Sequence, residues 1–264
     1  MIRTFRDLDP SGLTTVLCDA DGTLFGSEEP AYDASAAVTN RFLTLLGVER
    51  EYSPRELQTL TNGKNFRAAS ADLVASLGST LENHELEEWV QAEKDVVTTH
   101  LERVLRPDPT VTGPAEDLAR HLVMAVVTSS ARSRMDACLR VTGLDHLFAE
   151  DHRFSAEDSL ARPPSKPDPA IYRHAGRVLG VGPAEAVAVE DSVNGVLSAV
   201  AAGFPAVGIL QFVDPVDHDE RADALREAGA AVVVDTWAEV AEVLGRGPDA
   251  DGADQTDRRA EHDA

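Results

Sequence analysis

Lysine is almost missing from this chain. Only Lys64, Lys94 and Lys166 occur; the rest of the 24 basic residues are arginine, set against 46 acidic residues. The formal charge of −22 repels nucleic acid and anionic lipid, so neither is an expected partner. It repels phosphorylated metabolites as well, so a phosphate site would need positive charge concentrated at one place. Cysteine is just as scarce. Cys18 and Cys138 lie in apolar surroundings and form no spaced pair, which argues against a disulfide framework or a cysteine-bound zinc. The eight histidines show no metal-ligand spacing. No apolar run approaches the roughly 20 residues that span a bilayer. Residues 1–10 carry charges and no apolar stretch. The expectation is a soluble, cytoplasmic protein without a leader.

What is present is a strand–helix alternation. The 264 residues are 43% hydrophobic, enough for a substantial core. Short, valine-rich runs at 13–18, 122–127, 186–189, 206–210 and 231–234 fit strands buried on both faces of a parallel sheet. Helical patterns follow at 131–142, 169–179, 193–202, 220–228 and 236–244, with Asp168 the expected N-cap and Pro169 the first helical residue of the second. The alternation predicts an α/β, doubly wound parallel sheet.

Residues 26–106 break the pattern. Ala34, Val38, Phe42 and Leu45 repeat at helical spacing, and Ser53-Pro54-Arg55-Glu56 has the form of a capping box. Leu86, Trp89, Val90, Val97, Leu101 and Val104 form an apolar stripe on a long helix. The expected organisation is a core of 1–25 and 107–244 interrupted by an all-helical module at 26–106. Two hinge strands would let the module open and close over the strand ends. Residues 245–264, rich in Gly, Asp and Ala, read as a disordered acidic tail.

In such a sheet ligands bind where strands end at their carboxyl side. The first run leads into Asp19-Ala20-Asp21-Gly22-Thr23, the second into Thr128-Ser129-Ser130, the third into Glu190-Asp191-Ser192, and Ser165-Lys166-Pro167-Asp168 precedes a helix. Two carboxylates beside a tight turn, hydroxyls at a helix start, an acidic pair and a lysine suit an anionic electrophile that needs a metal, a nucleophile and a proton donor. Phosphate esters fit that description.

This ordered set resembles the haloacid dehalogenase superfamily, in particular phosphatases and β-phosphoglucomutase-like phosphomutases with a helical cap inserted after the first strand. The resemblance covers residues 13–240, including the stretch from Val189 through Gly195 to Gly203. It implies a Rossmann-like core. It implies Asp19 as nucleophile forming an aspartyl-phosphate, and Asp21 as acid and then base. It further implies Thr128, Ser129 and the Gly22 and Thr23 amides on phosphate oxygens, and Lys166 as compensating charge. Mg²⁺ would sit on Asp19, the Asp21 carbonyl and Asp191, with Glu190 either a direct ligand or an outer partner that pairs with Lys166. Between cap helices, Lys64, Asn65 and Arg67 would grip the rest of the substrate.

Dehalogenases and phosphonate-cleaving relatives lack the second aspartate, so Asp21 argues against both. β-Phosphoglucomutase-like members typically carry a histidine in the segment after the first motif, at the place where this chain has Ala31, which weakens the mutase alternative. The expected function is Mg²⁺-dependent hydrolysis of a small phosphorylated metabolite, of sugar-phosphate or phosphoglycolate type. A non-catalytic sugar-phosphate sensor is the alternative from another class, and the expected state is a monomer or weak dimer.

Overall fold

The computed structural model describes residues 1–61, 66–76, 83–160 and 165–245. Two compact units emerge, one of Met1–Phe25 with Arg106–Ala264 and the other of Gly26–Leu105.

The first unit is built on a seven-stranded sheet. Its strands are β1 (Arg3–Thr4), β2 (Thr15–Cys18), β3 (Val123–Thr128), β4 (Arg153–Ser155), β5 (Ala186–Glu190), β6 (Ala206–Ile209) and β7 (Val232–Val234). The order across the sheet is β1-β7-β6-β5-β2-β3-β4. Every neighbouring pair is parallel except β1 with β7. The five long runs read from the sequence are strands, with ends shifted by one or two residues. The two edge strands lie outside that reading, because two and three residues are too few to show a period.

The second unit contains α1 (Glu28–Leu45), α2 (Pro54–Thr61), α3 (Phe66–Ser76) and α4 (Asn83–Val104). The sheet unit adds α5 (Pro109–Ala119), α6 (Arg132–Thr142), α7 (Ala156–Ser159), α8 (Ala170–Leu179), α9 (Val193–Ala202), α10 (His218–Ala228) and α11 (Trp237–Val243). The alternate residues Leu17, Ala125, Val127, Ala186 and Ala188 pack with Ile171, Tyr172 and Ala175 of α8 and Val196 and Ala199 of α9 in one buried cluster. Asp168 is not the N-cap of α8. Pro169 occupies that position, and Asp168 Oδ1 accepts from the Ala170 amide at 2.8 Å, because the preceding turn already closes from Asp168 N to Ser165 O.

Within the helical unit, Phe42 is buried and meets Phe66 and Trp89 edge-on, with ring centroids 6.4 and 5.4 Å away. The capping box is reciprocal: Ser53 N donates to Glu56 Oε2 at 2.9 Å and Glu56 N to Ser53 Oγ at 3.3 Å. The apolar stripes are shorter than their spacing implies. Leu45 and Val104, each the last residue of its helix, are exposed, whereas Leu43, Val97 and Leu101 are buried. Among the described residues no helix is long and apolar enough to cross a membrane.

Candidate active site

Register fixes the site. Cys18 stands opposite Val126 of β3 and Val189 of β5, so the residue after it emerges at the centre of the carboxyl edge. That residue is Asp19, whose amide donates to Val189 O at 2.9 Å. Glu190 ends β5 on one side and Thr128 ends β3 on the other. Asp191 follows Glu190 at once, and both are buried.

Lys166 closes the arrangement from a separate loop. Its ammonium donates to Asp19 Oδ1 at 2.5 Å, to Glu190 Oε1 at 2.7 Å and to Val127 O at 2.7 Å. Its side chain is 6% exposed, so this is a buried ion triad and not a surface pair. Such a group persists only when its donors and acceptors are matched, and here all three ammonium protons are placed. Burial opposes the charge on Lys166, but Asp19 and Glu190 outweigh it and hold the ammonium above its ordinary pKa. For Asp19, burial together with Glu190 and Asp191 outweighs Lys166 and holds the carboxyl well above the usual range. Burial likewise pushes the Cys18 thiol up, which makes it an inert core residue.

Asp21 and Thr23 are tied to other loops. Ser130 Oγ donates to Asp21 Oδ2 at 2.6 Å. Thr23 Oγ1 donates to Asp191 Oδ1 at 3.0 Å, and the Trp237 indole donates to Thr23 O at 2.8 Å.

Several expected contacts fall elsewhere. The Gly22 and Thr23 amides are engaged by the turn itself, donating to Phe25 O at 3.0 Å and Ala20 O at 3.3 Å, and so are not presented to a phosphate. Thr128 Oγ1 accepts from Ser130 N at 3.0 Å and keeps its own proton to donate. Ser129 Oγ accepts from Lys166 N at 3.3 Å, which makes it a support of the lysine loop. The helix start after β3 is already occupied by an internal anion, since Arg132 N donates to Asp158 Oδ2 at 2.6 Å. Arg67 pairs with Glu87 through both terminal guanidinium nitrogens, Nη2 at 2.7 Å, and so is paired inside the helical unit. Lys64 and Asn65 lie outside the described residues.

Sequence reasoning missed Tyr172 and Trp237, and it placed Gly195 in a family-like stretch without giving it a role. Each reads as an ordinary helix residue, and only tertiary structure reveals what it touches. It also named Ser130 only as one hydroxyl of three.

Carboxylate oxygens of Asp19, Glu190 and Asp191 lie within 4.8 Å of one another. Among the described residues, Asp19, Glu190 and Asp191 gather about Lys166, so these three acids outnumber that ammonium by a formal two negative charges. Glu190 Oε2 is buried without a hydrogen-bond partner among the described residues. An all-oxygen donor set with that surplus fits a hard divalent cation.

The family model for haloacid dehalogenase-like hydrolases matches residues 13–203. The chain belongs to that family. Validoxylamine A 7'-phosphate phosphatase of Streptomyces hygroscopicus subsp. limoneus is 32% identical to this hydrolase over 216 residues, covering 80% of this chain and 89% of the relative. Protein CbbY of Cereibacter sphaeroides is 30% identical over 250 residues, covering 88% and 96%. Among solved structures, CbbY from Rhodobacter sphaeroides in complex with xylulose-(1,5)bisphosphate matches with a TM-score of 0.68 at 25% identity, covering 86% of this chain and 96% of that one.

Proposed function

We propose that this hydrolase is a Mg²⁺-dependent phosphatase of small phosphorylated metabolites, of sugar-phosphate or phosphoglycolate type, working through an aspartyl-phosphate on Asp19. The observation that carries the reading is Asp19 at the centre of the carboxyl edge, joined to Lys166 and flanked by Glu190 and Asp191. Two relatives covered over most of their length support the same reading: one is named Validoxylamine A 7'-phosphate phosphatase and the other is solved in complex with xylulose-(1,5)bisphosphate.

One carboxylate oxygen of Asp19 attacks phosphorus, and the ester oxygen leaves with a proton from Asp21. Asp21 then takes a proton from water as that water attacks the aspartyl-phosphate and frees inorganic phosphate. The Ser130 hydroxyl holds Asp21 in place for both steps. Lys166 offsets the repulsion between carboxylate and phosphate, which for unit charges 4 Å apart is about 4 kcal/mol at an effective dielectric of 20. The Thr128 hydroxyl donates to a phosphate oxygen as charge redistributes. Asp19, Asp191 and the Asp21 carbonyl would hold Mg²⁺, which when bound supplies electrostatic stabilisation of the phosphoryl oxygens.

A screen of phosphorylated metabolites scored by inorganic phosphate tests the reading. The expected result is release that needs Mg²⁺, needs no bisphosphate activator and disappears in Asp19→Asn. Undiminished release by Asp19→Asn overturns the mechanism, and isomerisation without phosphate release overturns the phosphatase reading.

A further inference from the structure

The Glu190 carboxylate is held from three sides. Lys166 Nζ and Tyr172 Oη both donate to its Oε1, at 2.7 and 2.5 Å. Two donors match the two lone pairs of that oxygen. On the remaining side stands Gly195, where an added Cβ would overlap the Glu190 carboxylate. Gly195 is itself fixed by its amide, which donates to Ser192 Oγ at 3.0 Å.

We propose that Tyr172 is a positioning residue of the cation site: its hydroxyl fixes the Glu190 carboxylate and, through it, the seat of Lys166 on Asp19. Tyr172 is fully buried, and burying a hydroxyl is costly unless it gains a partner. A phenylalanine would fill the same space and demand no partner, so the hydroxyl's place in the core is explained by its bond to Glu190. The ring also lies beneath the ammonium, with Lys166 Nζ 5.2 Å from its centroid. The turn that leads into α8, the helix of Tyr172, is anchored to α9 by Ser198 Oγ donating to Asp168 O at 2.7 Å. With Oε1 filled by two donors and Gly195 against the carboxylate, the acceptor left over is Oε2, buried and unpartnered among the described residues. A carboxylate locked in this way supports a cation on Asp19 and Asp191 through its field and orientation, not as a mobile ligand. Outer partners of this kind are typically worth about 10- to 100-fold in metal affinity.

The inference takes the purpose of the cation from the proposed function, but its test does not depend on turnover. Mg²⁺ is titrated calorimetrically into the full chain without substrate. Tyr172→Phe is expected to weaken Mg²⁺ binding about tenfold while circular dichroism shows a folded protein. Glu190→Gln is also expected to weaken it, and adding Tyr172→Phe to that variant should cost less than a further twofold. Gly195→Ala provides an independent variant, displacing the same carboxylate from the opposite side and weakening binding in turn. Mg²⁺ affinity in Tyr172→Phe within twofold of wild type overturns the inference, as does a full tenfold loss that persists beside Glu190→Gln. A wild-type chain that binds Mg²⁺ but releases no phosphate from any ester refutes the phosphatase reading alone.

Discussion

Gly22 and Asp191 meet so closely that a side-chain carbon on Gly22 would overlap the Asp191 carboxylate. The backbone there has φ of +79°, a conformation that costs a residue with a Cβ about 1–2 kcal/mol. Gly22→Ala therefore combines strain with displacement of a candidate cation ligand. Mg²⁺ affinity should fall at least about tenfold and the melting temperature by several degrees. Calorimetric titration and a thermal melt check this, and unchanged affinity would show that Asp191 can move without consequence.

Burial, together with Glu190 and Asp191, disfavours charge on Asp19 despite its bond to Lys166, so function and stability should oppose each other there. Asp19→Asn is expected to lower turnover by about three orders of magnitude or more. The metal-free variant should nevertheless unfold at a higher denaturant concentration than metal-free wild type, by about 1 kcal/mol. A variant less stable than wild type without metal would contradict the account in which burial and the neighbouring acids outweigh Lys166.

Removal of divalent cation should have the converse effect on wild type. Chelation is expected to abolish phosphate release and lower the melting temperature, and added Mg²⁺ at about 100 times its Kd should restore about 2.7 kcal/mol. Sodium chloride at matched ionic strength should not restore it, because the site is buried beyond ordinary screening. A melt insensitive to chelator would count against a cation at the triad.

The capping box of α2 has its own pH signature. Hydrogen bonds from the Ser53 amide and hydroxyl hold the exposed Glu56 carboxyl below the ordinary glutamate value of 4.5. Its contribution is thus fully present above about pH 4.5 and is lost as pH falls through the lower folded value. Amide exchange in α2 should accelerate below that range relative to α4, and Glu56→Gln should remove most of the difference. An α2 whose protection fades as pH rises would reverse the sign and refute the assignment.

Trp237 gives a fifth test. Its indole donates to Thr23 O, and Thr23 in turn holds Asp191. Trp237→Phe leaves a buried carbonyl without that donor, so urea unfolding should show a loss of at least about 1–3 kcal/mol. A change below half of that would mean water replaces the indole.

Much of this was legible in the sequence. The runs that became β2, β3 and β5 are continuous and apolar, and the groups at their ends were already set together on one edge. Lys166 stood out because lysine is so rare, and the structure brings its ammonium onto Asp19 and Glu190. What stayed hidden follows from tertiary geometry. Tyr172 lies in an amphipathic helix where any large apolar residue would fit the pattern, so nothing local marks its hydroxyl. The turn at Gly22 and Thr23 engages amides that a motif alone leaves open for a ligand. Arg67 finds Glu87 twenty positions away on another helix, a pairing that spacing within one helix cannot reveal.

The sheet ends on one flank in the two residues of β1 and on the other in the three residues of β4. A foreign strand adding to either border would find a template only a few peptide units long. Pairing of that length is too short to hold a neighbouring chain, so the architecture itself guards against edge-to-edge aggregation.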